Sequence, residues 1–213
     1  EPVKLVLVDD HAVTREGLRA MLQTNAAIQV VGEAGSGEEA LARVAELSPQ
    51  VVLMDVRMPG MDGLEATRRI KVRHPDTSVI ILTSYDDEEL VATAMRAGAS
   101  GYLLKDASCD LLQHTIAAVL NGGLLIEASL ISKALATFAS PDDEDEGPLE
   151  GLTSRELEVL RLLAQGNTNK EIGEALYLAE ITIKKHVQNI MAKLKASDRT
   201  QAAVKAYRHG LLR

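Results

Sequence analysis

The sequence is poor in cysteine and in aromatic residues. Its 213 residues include one cysteine, no tryptophan, four tyrosines and one phenylalanine. A single cysteine excludes an internal disulfide and a cysteine-rich metal site, and it is typical of a reducing compartment. The scarcity of aromatic side chains argues against a protein that binds single-stranded nucleic acid, because such proteins stack bases on aromatic side chains.

A long apolar run is also missing. No stretch approaches the roughly 20 apolar residues that cross a bilayer. The opening segment EPVKLVLVDD enters a strand pattern directly and does not have the layout of a signal peptide. We therefore expect a cytoplasmic protein that does not associate with a membrane.

Acidic and basic residues are distributed unevenly along the chain. Residues 1–148 hold 12 basic and 24 acidic residues, whereas residues 149–213 hold 11 and 7. The net charge of −8 therefore combines an acidic body with a basic C-terminal part. Because the aromatic residues are few, duplex DNA is the nucleic acid that such a basic part would suit best.

Short apolar runs alternate with helical spacing over residues 1–121. The runs are KLVLV (4–8), IQVVGEA (28–34), VVLMD (51–55), SVIILT (78–83) and GYLLK (101–105). Strands that are apolar on both faces belong in a parallel sheet covered by helices on each side. We therefore predict a doubly wound α/β domain with five parallel strands in a (βα)5 arrangement. In such sheets, ligands bind beyond the carboxyl ends of the strands.

The remainder of the chain divides into a linker and a helical domain. We predict that residues 122–148 contain one helix, over 124–139, and an acidic, flexible segment over 140–148. Residues 149–213 then form an all-α domain of four helices, the first two of which open with capping boxes at Thr153 and Thr168. The third helix covers roughly 180–195 and the fourth 199–209. The short turn between the second and third helices predicts a helix-turn-helix unit.

Polar residues follow the predicted strands at the points where those strands end. They are Asp9, Asp10, Asp55, Thr83 and Lys105. Carboxylates that meet at one sheet edge repel one another unless a cation lies between them, and Mg²⁺ takes few protein carboxylates while it keeps positions open for phosphate oxygens. A hydroxyl and an ammonium group could hold the other oxygens of a phosphoryl group. An aspartate can itself accept the phosphoryl group.

Each of these residues also has an ordinary explanation. The Asp9-Asp10 pair could cap the following helix, Thr83 could simply favour a strand, and Lys105 could be a solvated strand end. For Asp62, in the turn MPGMDG, we predict a helix cap. Because five such residues would meet at one edge of one sheet, a phosphorylation site is the better interpretation.

Four motifs identify a family for this first part. VLVDDH, VVLMDVRMPGMDG, VIILTS and GASGYLLKD resemble, in order and spacing, those of the receiver domain of two-component response regulators. The resemblance covers residues 1–121. It implies that Asp55 is the phosphoacceptor and that Asp10, Asp55 and the backbone carbonyl of Arg57 bind Mg²⁺ directly. Asp9 would act mainly through a metal-bound water.

The same resemblance assigns three further residues. Thr83 would bind a phosphoryl oxygen, Lys105 would pair with the phosphoryl group, and Tyr102 would change rotamer on activation. Arg57 and Tyr85 occupy the positions that tune autodephosphorylation in the family. Asp106 departs from the pattern, since many receivers place a proline after the lysine.

The segment 152–212 resembles the LuxR-type four-helix DNA-binding domain. Joined to a receiver, it marks the nitrate-response and nitrogen-fixation class of response regulators. Spacing along the third helix predicts a core-facing stripe, which consists of Ile183, Val187, Ile190 and Leu194. The opposite face contains Ile181, Lys184, Lys185, Gln188, Ala192 and Lys195. The candidate DNA contacts are Thr182, Lys184, Lys185 and Gln188.

These patterns lead to a functional hypothesis. A sensor histidine kinase phosphorylates Asp55, and the protein then forms a homodimer on promoter DNA and regulates transcription. No enzyme activity is expected beyond self-phosphotransfer and autodephosphorylation. One alternative is an aspartate-nucleophile phosphatase, although such enzymes usually carry a second acid two residues after the nucleophile, where this chain has Arg57. Another is a regulator that acts only through protein contacts.

Overall fold

The computed structural model describes residues 1–85, 87–123, 151–196, 198–208 and 211. The predicted helix over 124–139 and the acidic segment over 140–148 lie outside the described residues, and the boundaries between the three predicted regions stay predictions. Within the described part of the chain, no helix is long and apolar enough to span a membrane.

Strands and helices alternate through the N-terminal part, as predicted. In chain order they are β1 (Val3–Val8), α1 (Ala12–Leu22), β2 (Ile28–Ala34), α2 (Gly37–Leu47), β3 (Val51–Met54), α3 (Gly63–Arg73), β4 (Ser78–Thr83), α4 (Glu88–Arg96), β5 (Gly101–Leu104) and α5 (Cys109–Leu120). Every apolar run that predicted a strand forms one, with ends that agree to within one residue.

The five strands form one parallel sheet with the order β2-β1-β3-β4-β5. The order reverses direction at β1, so β1 and β3 are neighbours, and Val8 pairs with Met54 near their carboxyl ends. A crevice for ligands forms at such a reversal. The side chains that follow β1 and β3 are therefore brought to one place.

Both faces of the sheet are covered by helices. In β3, which is buried throughout, Val52 and Met54 belong to the cluster that packs under α2, α3 and α4. Val51 and Leu53 belong to the cluster under α1 and α5. Because successive side chains of a strand point to opposite faces, four consecutive apolar residues are what a doubly covered strand requires.

The C-terminal part is helical. Its helices in the described residues are α6 (Ser154–Ala164), α7 (Asn169–Leu176), α8 (Glu180–Lys193) and α9 (Arg199–Arg208). Both predicted capping boxes are present, at Thr153 and Thr168. Ala179 is the N-cap of α8 and makes no side-chain capping bond. After α8, Lys195 adopts a left-handed conformation with φ of 50°, which favours glycine.

The two parts contact each other near the start of β5. The hydroxyl of Thr200, in α9, donates to the carbonyl of Ala99 at 2.9 Å. The backbone N–H of Asn169, in α7, donates to the carbonyl of Asn121 at 3.1 Å. The helix α9 also packs against α4. Ala99 precedes β5, so this contact lies at the amino-terminal ends of the parallel strands. Asp55 lies at their carboxyl ends.

Candidate functional site

Asp55 is held at the end of β3 by both backbone and side chain. Its N–H donates to the carbonyl of Val8 at 2.8 Å, which continues the sheet pairing by one residue. The Oδ1 atom accepts a bond of 2.8 Å from the N–H of Val56. The residue is 5% exposed. An apolar strand therefore ends in a carboxylate that is almost buried and has a fixed orientation.

The turn after Asp55 depends on Gly63. Its N–H donates to the carbonyl of Val56 at 2.9 Å. A Cβ atom on Gly63 would lie 1.9 Å from the carbonyl oxygen of Asp55, which no side chain can tolerate. The neighbouring Asp62 caps α3 and accepts from the N–H of Glu65, as predicted. The glycine thus allows α3 to begin directly against the candidate phosphoacceptor.

Lys105 contacts two carboxylates at the carboxyl ends of the strands. Its Nζ atom lies 2.7 Å from Oδ2 of Asp9 and 2.8 Å from Oδ2 of Asp55. Burial raises the pKa of Asp55, and Lys105 opposes that rise. For Lys105 itself, burial acts to lower the pKa, but the two carboxylates outweigh it and the pKa is raised. Lys105 therefore stays charged beside a carboxylate that loses its proton less readily than usual.

The acidic cluster has the composition of a site for a hard cation. Ligand atoms of Asp9, Asp10, His11 and Asp55 lie within 4.8 Å of one another. The Oδ1 atom of Asp10 is buried and accepts no hydrogen bond from the described residues. Carboxylate oxygens are the ligands that Mg²⁺ prefers, so a divalent ion fits this cluster.

The idea that Asp9 and Asp10 cap α1 is wrong. The N-cap of α1 is His11, and it makes no side-chain capping bond. Asp9 instead accepts from the N–H of His11 at 2.9 Å. One oxygen of its carboxylate therefore bonds to the backbone of the N-cap residue, and the other, Oδ2, contacts Lys105 in the crevice.

Thr83, Tyr85 and Tyr102 form a chain of contacts beside the carboxylates. Thr83 is fully buried, and its Oγ1 atom accepts from the N–H of Tyr85 at 3.3 Å. The hydroxyl of Tyr102 donates to the carbonyl of Tyr85 at 2.7 Å, and its ring is buried. The guanidinium of Arg57 lies 3.9 Å from the centre of the Tyr85 ring. The side chain predicted to switch is thus linked to Thr83 through one residue.

Two residues near the cluster were not among the predicted site residues. The Nδ1 atom of His11 lies 2.7 Å from Oδ1 of Asp10, and Arg15 donates to the backbone carbonyl of Asp9 at 2.6 Å. The position of His11 directly after the two aspartates was a signal for it. No pattern pointed to Arg15, because its bond is to the backbone and depends on how α1 leaves the sheet.

The helix α8 shows the two predicted faces. Its buried stripe consists of Ile183, Val187, Ile190 and the following Leu194. Lys184, Lys185 and Gln188 are exposed on the other side, and Thr182 is half-buried. The Nζ atom of Lys184 lies 3.0 Å from Oε1 of Glu180, one turn earlier. The candidate DNA contacts therefore share one surface.

Part of that surface faces the receiver-like part of the chain. Lys184 and Gln188 line a cavity together with Val187 and Met191. The opposite wall is built by residues near the starts of β3, β4 and β5, namely Gln50, Ser78 and Ser100. In this arrangement, receiver residues lie across the cavity from part of the α8 surface.

Two family models together cover most of the chain. Residues 5–117 match the response regulator receiver domain. Residues 150–206 match the bacterial regulatory proteins of the luxR family.

Relatives resemble the chain over almost its whole length. It is 44% identical over 210 residues to the transcriptional regulatory protein LiaR of Bacillus subtilis (strain 168), with 99% of each chain covered. It is 38% identical over 210 residues to the response regulator protein VraR of Staphylococcus aureus (strain NCTC 8325 / PS 47), again with 99% of each chain covered. These relatives favour a transcription regulator over the phosphatase alternative.

Solved structures give the same result. The crystal structure of the response regulator ChrA, of a heme-sensing two-component system, matches with a TM-score of 0.54 at 33% identity and covers 99% of each chain. A luxR-family response regulator from Aurantimonas sp. SI85-9A1 matches with a TM-score of 0.60 at 31% identity, over 66% of this chain and 100% of that one. The chain therefore belongs to the two-component response regulators that join a receiver domain to a luxR-family DNA-binding domain.

Proposed function

We propose that Asp55 accepts a phosphoryl group from a phosphohistidine of a sensor histidine kinase, and that this controls binding to promoter DNA. The observation that carries the proposal is the contact of Lys105 with both Asp55 and Asp9. An oxygen of Asp55 forms the new P–O bond while the P–N bond of the donor breaks, and the imidazole nitrogen keeps the electron pair. No enzyme activity on other substrates is assigned to the chain.

The residues around Asp55 suit the negative charge of a phosphoryl group. Lys105 keeps its proton because its pKa is raised, even though burial acts in the opposite direction. The Oγ1 atom of Thr83 accepts from Tyr85, so its own hydrogen can be donated to a phosphoryl oxygen. An ammonium and a hydroxyl would then hold two of the three phosphoryl oxygens.

Asp9, Asp10, Asp55 and the backbone carbonyl of Arg57 are the residues that would hold Mg²⁺. The bound ion would offset the repulsion between the carboxylates and the incoming phosphoryl oxygens. The buried Oδ1 atom of Asp10 supports this assignment, because Nδ1 of His11 lies 2.7 Å away without hydrogen-bond geometry and the described residues offer this oxygen no hydrogen bond. His11, whose side chain is exposed, is not among the proposed ligands.

Incorporation of phosphoryl label tests the site. The parent protein should take up label from acetyl phosphate when Mg²⁺ is present, and a chelator should prevent it. Asp55→Asn should take up none, whereas Asp62→Asn is the matched control, because Asp62 caps α3 in the same turn. Equal labelling of Asp55→Asn and the parent would remove the basis of the proposal.

In this proposal, the helical domain binds DNA. We assign Thr182, Lys184, Lys185 and Gln188 to contacts with duplex promoter DNA, and we propose that a homodimer places two copies of α8 in adjacent half-sites. We therefore also propose that the protein acts in the cytoplasm. Two exposed lysines on one face of α8, set against the acidic remainder of the chain, support the assignment.

The contact between the two domains supports control by phosphorylation. Lys184 and Gln188 line a cavity with residues of the receiver, and we propose that the two domains separate when α8 binds DNA. A filled phosphorylation site would shift an existing equilibrium toward the separated form. Tyr102, linked to Thr83 through Tyr85, is the side chain proposed to report that the site is filled.

Salt-dependent binding to duplex DNA tests the output surface. Lys184→Ala with Lys185→Ala should weaken binding. The slope of the logarithm of the binding constant against the logarithm of the salt concentration should fall by the amount expected for about two phosphate contacts. Arg43→Ala with Arg73→Ala removes the same charge from the exposed receiver surface and should leave binding unchanged. A parent protein that binds no duplex at low salt would instead favour a regulator that acts only through protein contacts.

A further inference from the structure

Ile181 is an exposed hydrophobic residue at the beginning of α8. It is 63% exposed and is the second residue of the helix, which begins at Glu180. It remains exposed although other residues of α8 line a cavity together with residues of the receiver. Among the described residues of the helical domain, Tyr177, in the preceding turn, is the other large hydrophobic side chain with high exposure.

The fold does not require a hydrophobic residue at this position. The helix contributes to the core through Ile183 and Ile190, which are fully buried, and through Val187. Ile181 lies away from that stripe, and most of its surface is exposed. A β-branched residue also favours a helix less than lysine or glutamate does. Ile181 therefore contributes much less to the core than Ile183 or Ile190 does.

The neighbours of Ile181 indicate what could cover it. Residues three and four positions later on a helix are adjacent on its surface, and here they are Lys184 and Lys185. Although Lys184 pairs with Glu180 in the chain, the two lysines favour a partner that presents an apolar group close to negative charge. The major groove of DNA does so, because the C5-methyl group of thymine lies between two rows of phosphates and is the apolar feature of the base edges there.

The location of Ile181 in the helix agrees with such a contact. In helix-turn-helix proteins, the N-terminal residues of the second helix reach the base edges. Helical side chains also lean toward the N-terminus. Ile181 is therefore placed to reach further into the groove than Gln188, which lies two turns later.

We propose that Ile181 packs against the methyl group of a thymine in each half-site and so determines a preference for a T·A pair at that position. The proposal rests on the entry of α8 into the major groove that is proposed above. It makes Ile181 a specificity residue, whereas the lysines supply affinity that depends mainly on charge.

Replacement of thymine by deoxyuridine tests the contact, because it removes the methyl group and leaves the hydrogen-bonding groups of the base. Duplexes that bind the acetyl phosphate-treated full chain would first be selected from a random library. Each selected thymine would then be replaced in turn. At one thymine per half-site, the parent should lose about three- to fivefold in affinity, the effect of one buried methyl group.

Three variants locate the effect. Ile181→Ala should bind the thymine and deoxyuridine duplexes equally, whereas Ile181→Val should keep most of the difference. Lys185→Ala should bind both duplexes more weakly and still distinguish them. Equal binding of the two duplexes by the parent, or an unchanged difference in Ile181→Ala, would overturn the proposal. A library that yields no retained duplex would instead contradict the DNA-binding function itself.

Discussion

The hydroxyl of Thr200 donates a hydrogen bond to the carbonyl of Ala99, 101 residues earlier, and so joins the DNA-binding domain to the receiver. The bond is buried, so its loss leaves a carbonyl without a partner. The contact lies at the amino-terminal ends of the strands, whereas Asp55 lies at their carboxyl ends. Any signal from the phosphorylation site must therefore cross the receiver to release it.

Thr200→Val should favour separation of the domains, because it removes this bond while it keeps the side-chain shape. A buried bond of this kind contributes about 1 kcal/mol, so the unphosphorylated protein should bind its selected duplex up to about fivefold more tightly. Fluorescence anisotropy would measure this. Thr115→Val removes a hydroxyl that donates to Leu111 within α5, and it should leave DNA affinity unchanged. Equal affinities for parent and Thr200→Val would show that the bond does not hold the domains together.

Glu156 should make the helical domain sensitive to acid. Burial acts to raise its pKa, but bonds from Lys193 and Thr153 outweigh it and lower the pKa to about 2. Because the folded pKa lies below the unfolded value of 4.5, the stabilisation is complete above pH 4.5 and is lost as the pH falls toward 2. Glu156→Gln should lower the free energy of unfolding at pH 7 by on the order of 2 kcal/mol.

Thermal unfolding between pH 7 and pH 3 would measure this effect. The difference between parent and Glu156→Gln should shrink as the pH falls below 4.5. Glu158→Gln is the matched control, since Glu158 is exposed and pairs with Arg155 on the surface. A difference that stays constant over the whole range would contradict the assigned role of Glu156.

Gly63→Ala should disrupt the phosphorylation site. The added methyl group would lie 1.9 Å from the carbonyl oxygen of Asp55, so either α3 or Asp55 must move. We expect slower labelling by acetyl phosphate and a lower midpoint of thermal unfolding. Gly17→Ala makes the same chemical change within α1 where no atom lies within 4 Å, and it should stabilise the fold by up to about 1 kcal/mol. Similar behaviour of the two variants would contradict this interpretation of the turn.

Mg²⁺ should stabilise the parent protein against heat, because it binds the folded carboxylate cluster and not the unfolded chain. Asp10→Asn should remove most of that stabilisation. Without the ion, the same variant should be at least as stable as the parent, since one of the clustered carboxylates has lost its charge. Differential scanning calorimetry of both proteins, without Mg²⁺ and at increasing Mg²⁺ concentrations, would check both statements. An Asp10→Asn protein that responds to Mg²⁺ as the parent does would place the metal elsewhere.

Much of the phosphorylation site follows from the sequence because parallel strands bring their ends together. Asp9, Asp55 and Lys105 are far apart in the chain, but each follows a strand of one sheet, and their contacts confirm the prediction that they meet. The buried stripe of α8 could be predicted equally well, because its apolar residues recur at the spacing of a helical turn. Both features are consequences of regular geometry.

Contacts between irregular positions could not be predicted in this way. The bond between Thr200 and Ala99 depends on how two domains dock, which no period in the sequence encodes. The ion pair between Lys193 and Glu156 depends on the angle between α6 and α8. The role of Gly63 was hidden because a glycine in a turn usually suggests only backbone freedom.

The measurement that tests control by phosphorylation most directly is the affinity for a selected duplex before and after treatment with acetyl phosphate and Mg²⁺. The parent should bind more tightly after treatment, and Asp55→Asn should bind with the same affinity in both conditions. An Asp55→Asn protein whose affinity rises as much as that of the parent would contradict the central claim. So would a parent that becomes fully phosphorylated and binds DNA no more tightly.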